Sequence, residues 1–169
     1  VVLNSGGANA CTGAPGFQDT HRTAEHVGAA LGIAPGDVVV CSTGLIGERL
    51  PMDLLLGGID SAAAGLAVDG GPAAAEAIMT TDTLAKTAVA RRDGWSVGGM
   101  AKGAGMLAPA LATMLVVVTT DAVVDGPDLD AVLRGATATT FDRVDSDGCM
   151  STNDTVVLLA SGASGVEVG

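Results

Sequence analysis

Short apolar runs bounded by Gly, Pro or polar residues predict the strands of this chain. Such runs lie at residues 1–3, 36–41, 85–90, 95–100, 114–119 and 156–160. The run at 114–119 is apolar at nearly every position, a pattern typical of a strand buried on both faces. The Asp93-Gly94 pair between the third and fourth runs predicts a hairpin turn.

Helices are predicted where apolar residues recur at intervals of three or four. This spacing covers residues 19–31, 51–66, 72–79 and 128–144. For the first helix, Asp19 or Thr20 is the expected N-terminal cap, and Gly32 is the expected stop. Because strands and helices intermix without an internal repeat or a linker, we expect an α/β or α+β fold in a single domain over residues 1–169.

Composition narrows the classes of protein to which the chain can belong. It has 169 residues, of which 48% are apolar and 2% aromatic, so its core is built from small and branched side chains. A formal net charge of −11 argues against nucleic acid as a partner. No apolar run is long enough for a membrane helix and no secretory leader is found, so we expect a cytoplasmic protein without membrane contact. Because the chain opens on a strand without an initiator methionine, we expect a piece of a longer protein.

No metal or cofactor site is predicted from the residues. The 3 cysteines have no CxxC spacing. His21 and His26 are too far apart around a helix to share a ligand-bearing face. The loop Asp145-Ser-Asp-Gly148 lacks the further oxygen ligands of a calcium site. Lys102 precedes Gly103, whereas the lysine of a phosphate-binding loop follows its last glycine.

Thr113 is the candidate nucleophile. It stands directly after the small Ala112, where a glycine-rich loop that begins at Lys102 runs into the strand predicted at 114–119. A threonine hydroxyl needs a neighbouring base to react, and cutting the chain before the threonine converts its own α-amine into that base. An α-amine titrates at about pH 7.7–8.0, which suits proton transfer at neutral pH. An ordinary threonine at the start of a strand is the alternative interpretation.

The segment Ser42-Thr-Gly44 is a second candidate. It follows the strand predicted at 36–41, so backbone N–H groups and a hydroxyl are expected at the end of the sheet. Donors in such a position can stabilise an oxyanion. A plain glycine turn into the next helix is the alternative.

Several motifs in the same order along the chain resemble one family. They are Asn4-Ser-Gly-Gly-Ala-Asn-Ala-Cys-Thr-Gly13, Ser42-Thr-Gly-Leu-Ile-Gly47 with Leu50-Pro-Met52, Ile78-Met-Thr-Thr-Asp-Thr83, Lys102-Gly-Ala-Gly-Met106, Ala112-Thr-Met-Leu115 and Ser151-Thr-Asn-Asp-Thr155. Each is weak alone. In register they resemble the ornithine acetyltransferases, the bifunctional glutamate N-acetyltransferases of arginine biosynthesis (arginine biosynthesis protein J), in the central part of the chain around the self-cleavage site.

The resemblance implies roles for six residues. Self-cleavage between Ala112 and Thr113 would leave an α-chain part, residues 1–112, and a β-chain part, residues 113–169, with Thr113 as its N-terminal nucleophile. Thr113 would take the acetyl group of N2-acetylornithine and pass it to glutamate in a ping-pong cycle. The remaining residues would hold the oxyanion or contact the substrate: Thr43 and Gly44 for the oxyanion, and Thr80 and Lys102, together with Thr113, for the substrate.

The same resemblance implies layered sheets flanked by helices in an N-terminal-nucleophile-like fold, of the DmpA/ornithine-acetyltransferase type. It implies no cofactor and an α2β2 heterotetramer of the protein's own α and β chains. Whether acetyl-CoA is a co-substrate stays open. Gly7, Ala110 and Asp142 stand where the family commonly has asparagine.

Family members are more than twice as long as this chain, and some of their substrate ligands follow the region that it matches, so we expect an isolated piece to be poorly active. Two alternatives remain open. One is a self-processed amidohydrolase or aminopeptidase of related fold, and the other is a non-catalytic α/β assembly module.

Overall fold

The computed structural model describes residues 1–110, 112–151 and 153–168. Two compact units follow one another along the chain, Val1–Thr80 and Thr81–Gly169. Both contain strands and helices, so the predicted mixed α/β class is confirmed. The single domain expected over residues 1–169 stays a prediction.

The first unit combines a two-stranded parallel sheet with three helices. Its elements are β1 (Val2–Gly7), α1 (Gly13–Leu31), a short 3-10 turn (Pro35–Asp37), β2 (Val40–Leu45), α2 (Met52–Ala64) and α3 (Gly71–Ala77). The register of the sheet runs from Val2 opposite Val40 to Gly7 opposite Leu45. The chain therefore brings the first motif, in β1, directly beside the second, in β2.

The second unit is a four-stranded sheet with one helix. Its elements are β3 (Lys86–Arg92), β4 (Trp95–Lys102), β5 (Leu115–Thr120), α4 (Gly126–Thr139), a 3-10 turn (Phe141–Arg143) and β6 (Thr155–Ala160). The spatial order is β3-β4-β5-β6, antiparallel except for the parallel pair β5 and β6. The hairpin predicted at Asp93-Gly94 joins β3 and β4, and Gly94 has the positive φ of +86° that favours glycine in such a turn.

β5 is the most buried strand of this sheet, as its continuous apolar sequence predicted. Leu115 is fully buried, and Val116 and Val117 are nearly so. A tight apolar cluster extends this core back along the chain before β5 and contains Leu107, Ala112, Met114 and Val116. The residues that flank Thr113 on both sides are thus part of the core.

For α1, the predicted end is confirmed and the predicted start is wrong. Gly32 ends α1 in the left-handed conformation, as predicted. The predicted start at residue 19 is wrong, because α1 begins at Gly13. The Asn9 side chain explains this: its Nδ2 donates to the carbonyl oxygen of Gly16 and to Thr20 Oγ1, both at 2.9 Å, and so fastens the preceding loop to the first helical turns.

Three other predicted boundaries need correction. The strand predicted at 1–3 continues to Gly7. The segment 36–41 is not one strand, since a 3-10 turn ends at Asp37 and β2 begins at Val40. The helix predicted at 128–144 is α4 (Gly126–Thr139), which starts earlier because the Asp125 carboxylate caps it by accepting from the Asp128 N–H at 2.9 Å. It also ends earlier than predicted, and a separate 3-10 turn follows at Phe141–Arg143.

In the part of the chain that the structure describes, no helix has both the length and the apolar character needed to cross a membrane.

Candidate active site

Thr113 lies between the buried Ala112 and Met114, immediately before β5 begins at Leu115. Its backbone N–H donates to the carbonyl oxygen of Met106 at 2.7 Å. Its Oγ1 is buried and has no hydrogen-bond partner among the described residues. Leaving a buried hydroxyl unpaired costs about 1–3 kcal/mol. The hydroxyl is therefore an exception in this core, and it is free to bond to a reacting group.

The peptide bond that precedes Thr113 is part of a three-residue turn. The Met114 N–H donates to the carbonyl oxygen of Ala112 at 2.9 Å, which closes a turn centred on Thr113. A donor on a carbonyl oxygen polarises the carbon and stabilises the negative charge that forms there on nucleophilic attack. Ala112 is only 3% exposed and packs in the apolar cluster. A small side chain at this position therefore suits both the packing and access to its carbonyl.

Lys102 is the last residue of β4 and pairs with Leu115 of β5. Only 2% of it is exposed, an unusual state for a lysine. Burial lowers the pKa of its ammonium group, and the negative charges of Asp82 and Asp154 partly oppose that effect. Since its strand partner begins two residues after Thr113, Lys102 is a buried cation placed beside the start of β5.

Asp82 supports the turn that follows Lys102. Its carboxylate accepts from the Gly103 N–H at 2.8 Å and forms an ion pair with Lys86. Gly103 has a φ of +153°, and a Cβ built there would lie 3.1 Å from the carbonyl oxygen of Thr113. The absence of a side chain at Gly103 thus lets the backbone after Lys102 approach Thr113 closely.

Asp154 is a carboxylate that sequence reasoning left without a role. Burial raises its pKa, whereas hydrogen bonds from the backbone of Met114 and Ala112, a hydrogen bond from Ser151 and the charge of Lys102 act in the opposite direction. It thus interacts with the backbone on both sides of Thr113. The family-like motif at 151–155 was the available signal, although its residue 152 lies outside the described residues.

Asp147 is a second carboxylate that the sequence did not assign. It belongs to the loop Asp145-Ser-Asp-Gly148, and its oxygens accept hydrogen bonds from backbone donors. Its Oδ2 accepts from the Met106 N–H at 2.9 Å and its Oδ1 from the Cys149 N–H at 3.1 Å. These hydrogen bonds, the one from Met106 first, lower the pKa of the Asp147 carboxyl.

In the first unit, Thr43 lies in the middle of β2 opposite Ser5 of β1. It is completely buried, and its Oγ1 also lacks a partner among the described residues. The neighbouring Ser42 hydroxyl donates to Asn4 Oδ1 at 2.7 Å, and Asn4 Nδ2 donates to the Gly7 carbonyl oxygen at 3.0 Å. Side-chain hydrogen bonds therefore fix the register around Thr43 without involving the Thr43 hydroxyl.

Gly44 is required where β2 approaches β1 most closely. Its φ is +130°, and a Cβ there would lie 2.4 Å from the carbonyl carbon of Gly6. The expectation that Ser42-Thr-Gly44 follows a strand is wrong, because all three residues belong to β2. The polar side chains and the glycine at the end of β2 have a composition typical of a loop, so the sequence predicted a strand that ends at Cys41.

The predicted site residues fall into two groups. Lys102, Ala112 and Thr113 lie close together in the second unit, on β4 and at the start of β5. Thr43 and Gly44 are neighbours in β2 of the first unit, and Thr80 is an exposed residue after α3 in that unit. Over residues 1–110, 112–151 and 153–168, no cluster of His, Cys, Asp or Glu is arranged to hold a metal ion.

Comparison with known proteins identifies the family. A profile of the ArgJ family matches residues 1–168. This chain belongs to the ArgJ family. The resemblance inferred from the six motifs is thereby confirmed.

Relatives in the ArgJ family are closely similar over the whole chain. The chain is 69% identical over 166 residues to the arginine biosynthesis bifunctional protein ArgJ of Streptomyces coelicolor. The matched region covers 98% of this chain and 43% of that protein. It is 67% identical to the protein of the same name from Thermobifida fusca, again over 98% of this chain and 43% of the relative. The chain thus spans less than half the length of these relatives.

Two solved structures share the fold. Ornithine acetyltransferase from Mycobacterium tuberculosis, complexed with ornithine, is 58% identical with a TM-score of 0.62, over 65% of this chain and 61% of that one. The arginine biosynthesis bifunctional protein ArgJ from Bacillus halodurans is 39% identical with a TM-score of 0.56, over 67% of this chain and 60% of that one. The ArgJ fold expected from the motifs is thus supported at the level of structure.

Proposed function

We propose that the protein is an acetyltransferase that moves the acetyl group of N2-acetylornithine to glutamate through an acetyl-Thr113 intermediate. The observation that carries the proposal is the buried, unpaired hydroxyl of Thr113 beside the polarised carbonyl of Ala112. Membership of the ArgJ family and the name of the ornithine acetyltransferase relative support the choice of substrates.

The first step of the proposal is self-cleavage between Ala112 and Thr113. Thr113 Oγ1 attacks the carbonyl carbon of Ala112, and the hydroxyl proton is transferred to the amide nitrogen as the C–N bond breaks. The product is an ester between Ala112 and Thr113 Oγ1. Water then hydrolyses this ester, which leaves a carboxylate on Ala112 and a free α-amine on Thr113. The Met114 N–H would stabilise the oxyanion of the first attack.

The second step uses the new α-amine as the base. It takes the proton of Thr113 Oγ1 while the oxygen attacks the acetyl carbonyl of N2-acetylornithine, and then gives the proton to the departing amine of ornithine. The amine of glutamate attacks the acetyl ester in turn, and the Thr113 hydroxyl is regenerated. Thr43 and Gly44 are proposed as the donors to the oxyanion in both half-reactions.

Lys102 is proposed to bind the α-carboxylate that acetylornithine and glutamate share, with Thr80 as a further substrate contact. Lys102 is buried, and an ion pair between a buried ammonium and a carboxylate is stronger than an exposed ion pair, because water screens the two charges less. The negative charges of Asp82 and Asp154 keep this cation favourable in its buried position.

An intact-mass measurement under denaturing conditions tests the self-cleavage. The protein, expressed at its full natural length, is expected to give two pieces that separate between residues 112 and 113. The Thr113→Ala variant is expected to give one uncut chain without activity. A cut and fully active Thr113→Ala variant would exclude Thr113 as the nucleophile.

A second assay separates the proposed reaction from the alternatives. Release of ornithine from N2-acetylornithine should require glutamate and yield N-acetylglutamate. Release without glutamate would indicate an amidohydrolase or aminopeptidase. An uncut chain that forms no acyl-enzyme would indicate a non-catalytic assembly module. Replacing acetylornithine by acetyl-CoA in the same assay shows whether acetyl-CoA is a second donor.

We also propose the cytoplasm as the location and an α2β2 heterotetramer as the assembly, with no cofactor. The names of the relatives, which are arginine biosynthesis proteins, support the location, whereas the assembly follows only from the resemblance to the ornithine acetyltransferases. Native mass spectrometry of the cut protein measures the assembly directly.

A further inference from the structure

We propose that Asp147 is a positioning residue for self-cleavage: its carboxylate holds the loop whose carbonyl binds the amide nitrogen of the bond to be cut. The inference rests on the proposed self-cleavage at residues 112–113 and adds a residue to it. Nothing in the family-like motifs marks Asp147, which lies 34 positions after Thr113 in the sequence.

Two hydrogen bonds tie the loop of Asp147 to the segment before the cleavage site. Asp147 Oδ2 accepts from the Met106 N–H at 2.9 Å. The Ser146 N–H donates to the Leu107 carbonyl oxygen at 2.9 Å. Both are formed between residues about 40 positions apart, so they cross-link two loops that local sequence does not hold together.

Met106 transmits this constraint to Thr113. Met106 has a φ of +57°, a left-handed conformation that non-glycine residues adopt only under support from their surroundings. With its N–H bound by Asp147, the carbonyl oxygen of Met106 is directed to the Thr113 N–H at 2.7 Å. A single residue, Met106, therefore links the carboxylate to the hydrogen bond on the scissile amide.

The hydrogen bond on the Thr113 nitrogen matters for the geometry of the reaction. When Thr113 Oγ1 attacks the Ala112 carbonyl carbon, the nitrogen becomes tetrahedral and accepts a proton before it leaves. A fixed acceptor on its N–H sets the side from which that proton arrives and keeps the peptide plane oriented toward the hydroxyl. Asp147 itself gains and loses no proton in this step, so it positions the reacting bond without touching it.

The chain supplies a matched control for Asp147. Asp125 is also an exposed aspartate of the second unit, and it accepts from the Asp128 N–H at 2.9 Å, the same distance as in the bond from Met106 to Asp147. It caps α4, and its hydrogen bond to Asp128 lies within that cap. Asp125→Ala therefore removes one carboxylate and a backbone hydrogen bond at a helix cap, whereas Asp147→Ala also removes the bond from Met106, whose carbonyl oxygen binds Thr113.

The experiment follows self-cleavage over time by intact mass, starting from freshly translated full-length protein. Asp147→Ala is expected to slow cleavage about 10- to 100-fold, the range for losing a charge-assisted hydrogen bond. Asp147→Asn keeps one oxygen acceptor and should recover part of the rate. Asp125→Ala should cleave at the rate of the unchanged protein. Equal rates for Asp147→Ala and Asp125→Ala would overturn the proposal.

A second measurement is independent of cleavage. In the uncut Thr113→Ala background, amide hydrogen exchange at residues 106 and 113 should be about 10-fold or more faster after Asp147→Ala, and unchanged after Asp125→Ala. Unchanged exchange at both residues would overturn the positioning role even if cleavage slows. If the protein without substitutions is never cleaved, the proposed self-cleavage is refuted. If Asp147→Ala is cleaved at the normal rate, only the role of Asp147 is refuted.

Discussion

The hydroxyls of Thr43 and Thr113 are the two buried side-chain oxygens without a partner in the described part of the chain. Buried polar groups in proteins nearly always have a hydrogen-bond partner, so two exceptions at the two motif positions require an explanation. Sites that stabilise a charge formed during a reaction leave such groups unpaired in the resting state. The same atoms that reduce stability would therefore contribute to catalysis.

Thr43→Val tests this trade at a single residue. Valine has the shape of threonine without the hydroxyl, so removing an unpaired oxygen should leave the free energy of unfolding unchanged or raise it by up to about 1–3 kcal/mol. Acetyl transfer should fall about 100- to 1000-fold, as for loss of an oxyanion donor. Urea unfolding and initial-rate kinetics measure the two quantities.

Thr23→Val is the control for Thr43→Val. Thr23 is equally buried in the same unit, but its hydroxyl donates to the Asp19 carbonyl oxygen at 2.7 Å. Its replacement should lower the free energy of unfolding by about 0.5–1.5 kcal/mol and leave turnover unchanged. A Thr43→Val protein that loses stability in the same way and keeps full turnover would refute the oxyanion role.

Lys102 makes stability depend on pH in the alkaline range. Its pKa is lower in the folded protein than in the unfolded chain because it is buried, so the unfolded chain binds more protons between those two pKa values. Stability should therefore rise as pH increases toward the unfolded value of 10.5. Lys102→Met removes this contribution, so the stability difference between the original protein and the variant should shift in favour of the original from pH 7 to pH 10. Urea unfolding at both values checks this; a constant difference would contradict it.

At the scale of elements, the β1–β2 pair depends on backbone contact at Gly44. Gly44→Ala combines an unfavourable positive φ with a Cβ 2.4 Å from the Gly6 carbonyl carbon. Gly6→Ala is the matched variant, since Gly6 has a φ of +110° and open space around its Cβ position. Strain alone should cost Gly6→Ala about 1–3 kcal/mol.

Gly44→Ala should lower the free energy of unfolding by at least about 1–3 kcal/mol more than Gly6→Ala does, because overlap with backbone atoms cannot be relieved by rotating a side chain. Urea unfolding of the two variants gives the comparison. Equal losses would show that β1 and β2 can separate to admit a Cβ, and that close contact is not what selects glycine at Gly44.

Strands marked by a continuous apolar run or by a strong turn signal were predictable from the sequence, and strands of polar composition were not. β5 and the β3–β4 hairpin are found as predicted, because Val-rich runs and an Asp-Gly turn have few alternative structures. β1 and β2 contain Asn4-Ser-Gly and Ser42-Thr-Gly, whose composition is that of a loop. They are strands because they pair with each other, and a pairing between distant segments cannot be inferred from the local sequence of either one.

The candidate site divides in the same way. Thr113, Ala112 and Lys102 could be chosen because a resemblance to known motifs gave them meaning beyond their residue types. Asp147 could not, since its importance comes from a hydrogen bond to Met106, about 40 positions earlier in the chain. Asp154 lies in a family-like motif, but its contacts with the backbone of Ala112 and Met114 became evident only in the structure. A carboxylate that accepts from a backbone N–H does not require a particular side chain on its partner residue. The sequence of the partner therefore does not reveal the hydrogen bond.

For the whole molecule, the proposed cleavage site does not coincide with a boundary between compact units. The bond at 112–113 lies inside the unit Thr81–Gly169, between β4 and β5. These two strands pair over six positions, from Val97 opposite Thr120 to Lys102 opposite Leu115. If the proposed cleavage occurs, its two products would therefore remain joined by one continuous sheet.

The cut protein should accordingly behave as one particle under native conditions. Size-exclusion chromatography should elute both pieces together, at the same volume as the uncut Thr113→Ala variant, while denaturing mass spectrometry resolves two chains. The reason is that the hydrogen bonds of β4 with β5 and the buried apolar cluster are retained after cleavage. Separate elution of the two pieces would show that the covalent bond is needed to hold the sheet.

A cut between β4 and β5, as proposed, would also change how this molecule unfolds and refolds. Before the cut, β4 and β5 find each other as parts of one chain, at a rate that does not depend on how much protein is present. Afterwards their reunion requires an encounter between two molecules, which becomes rarer on dilution. Once unfolded in a dilute solution, the cut form has no efficient route back. The lifetime of the cut form would then be set by the height of its unfolding barrier. Its β4–β5 pairing would have formed in the uncut chain and could not easily form again.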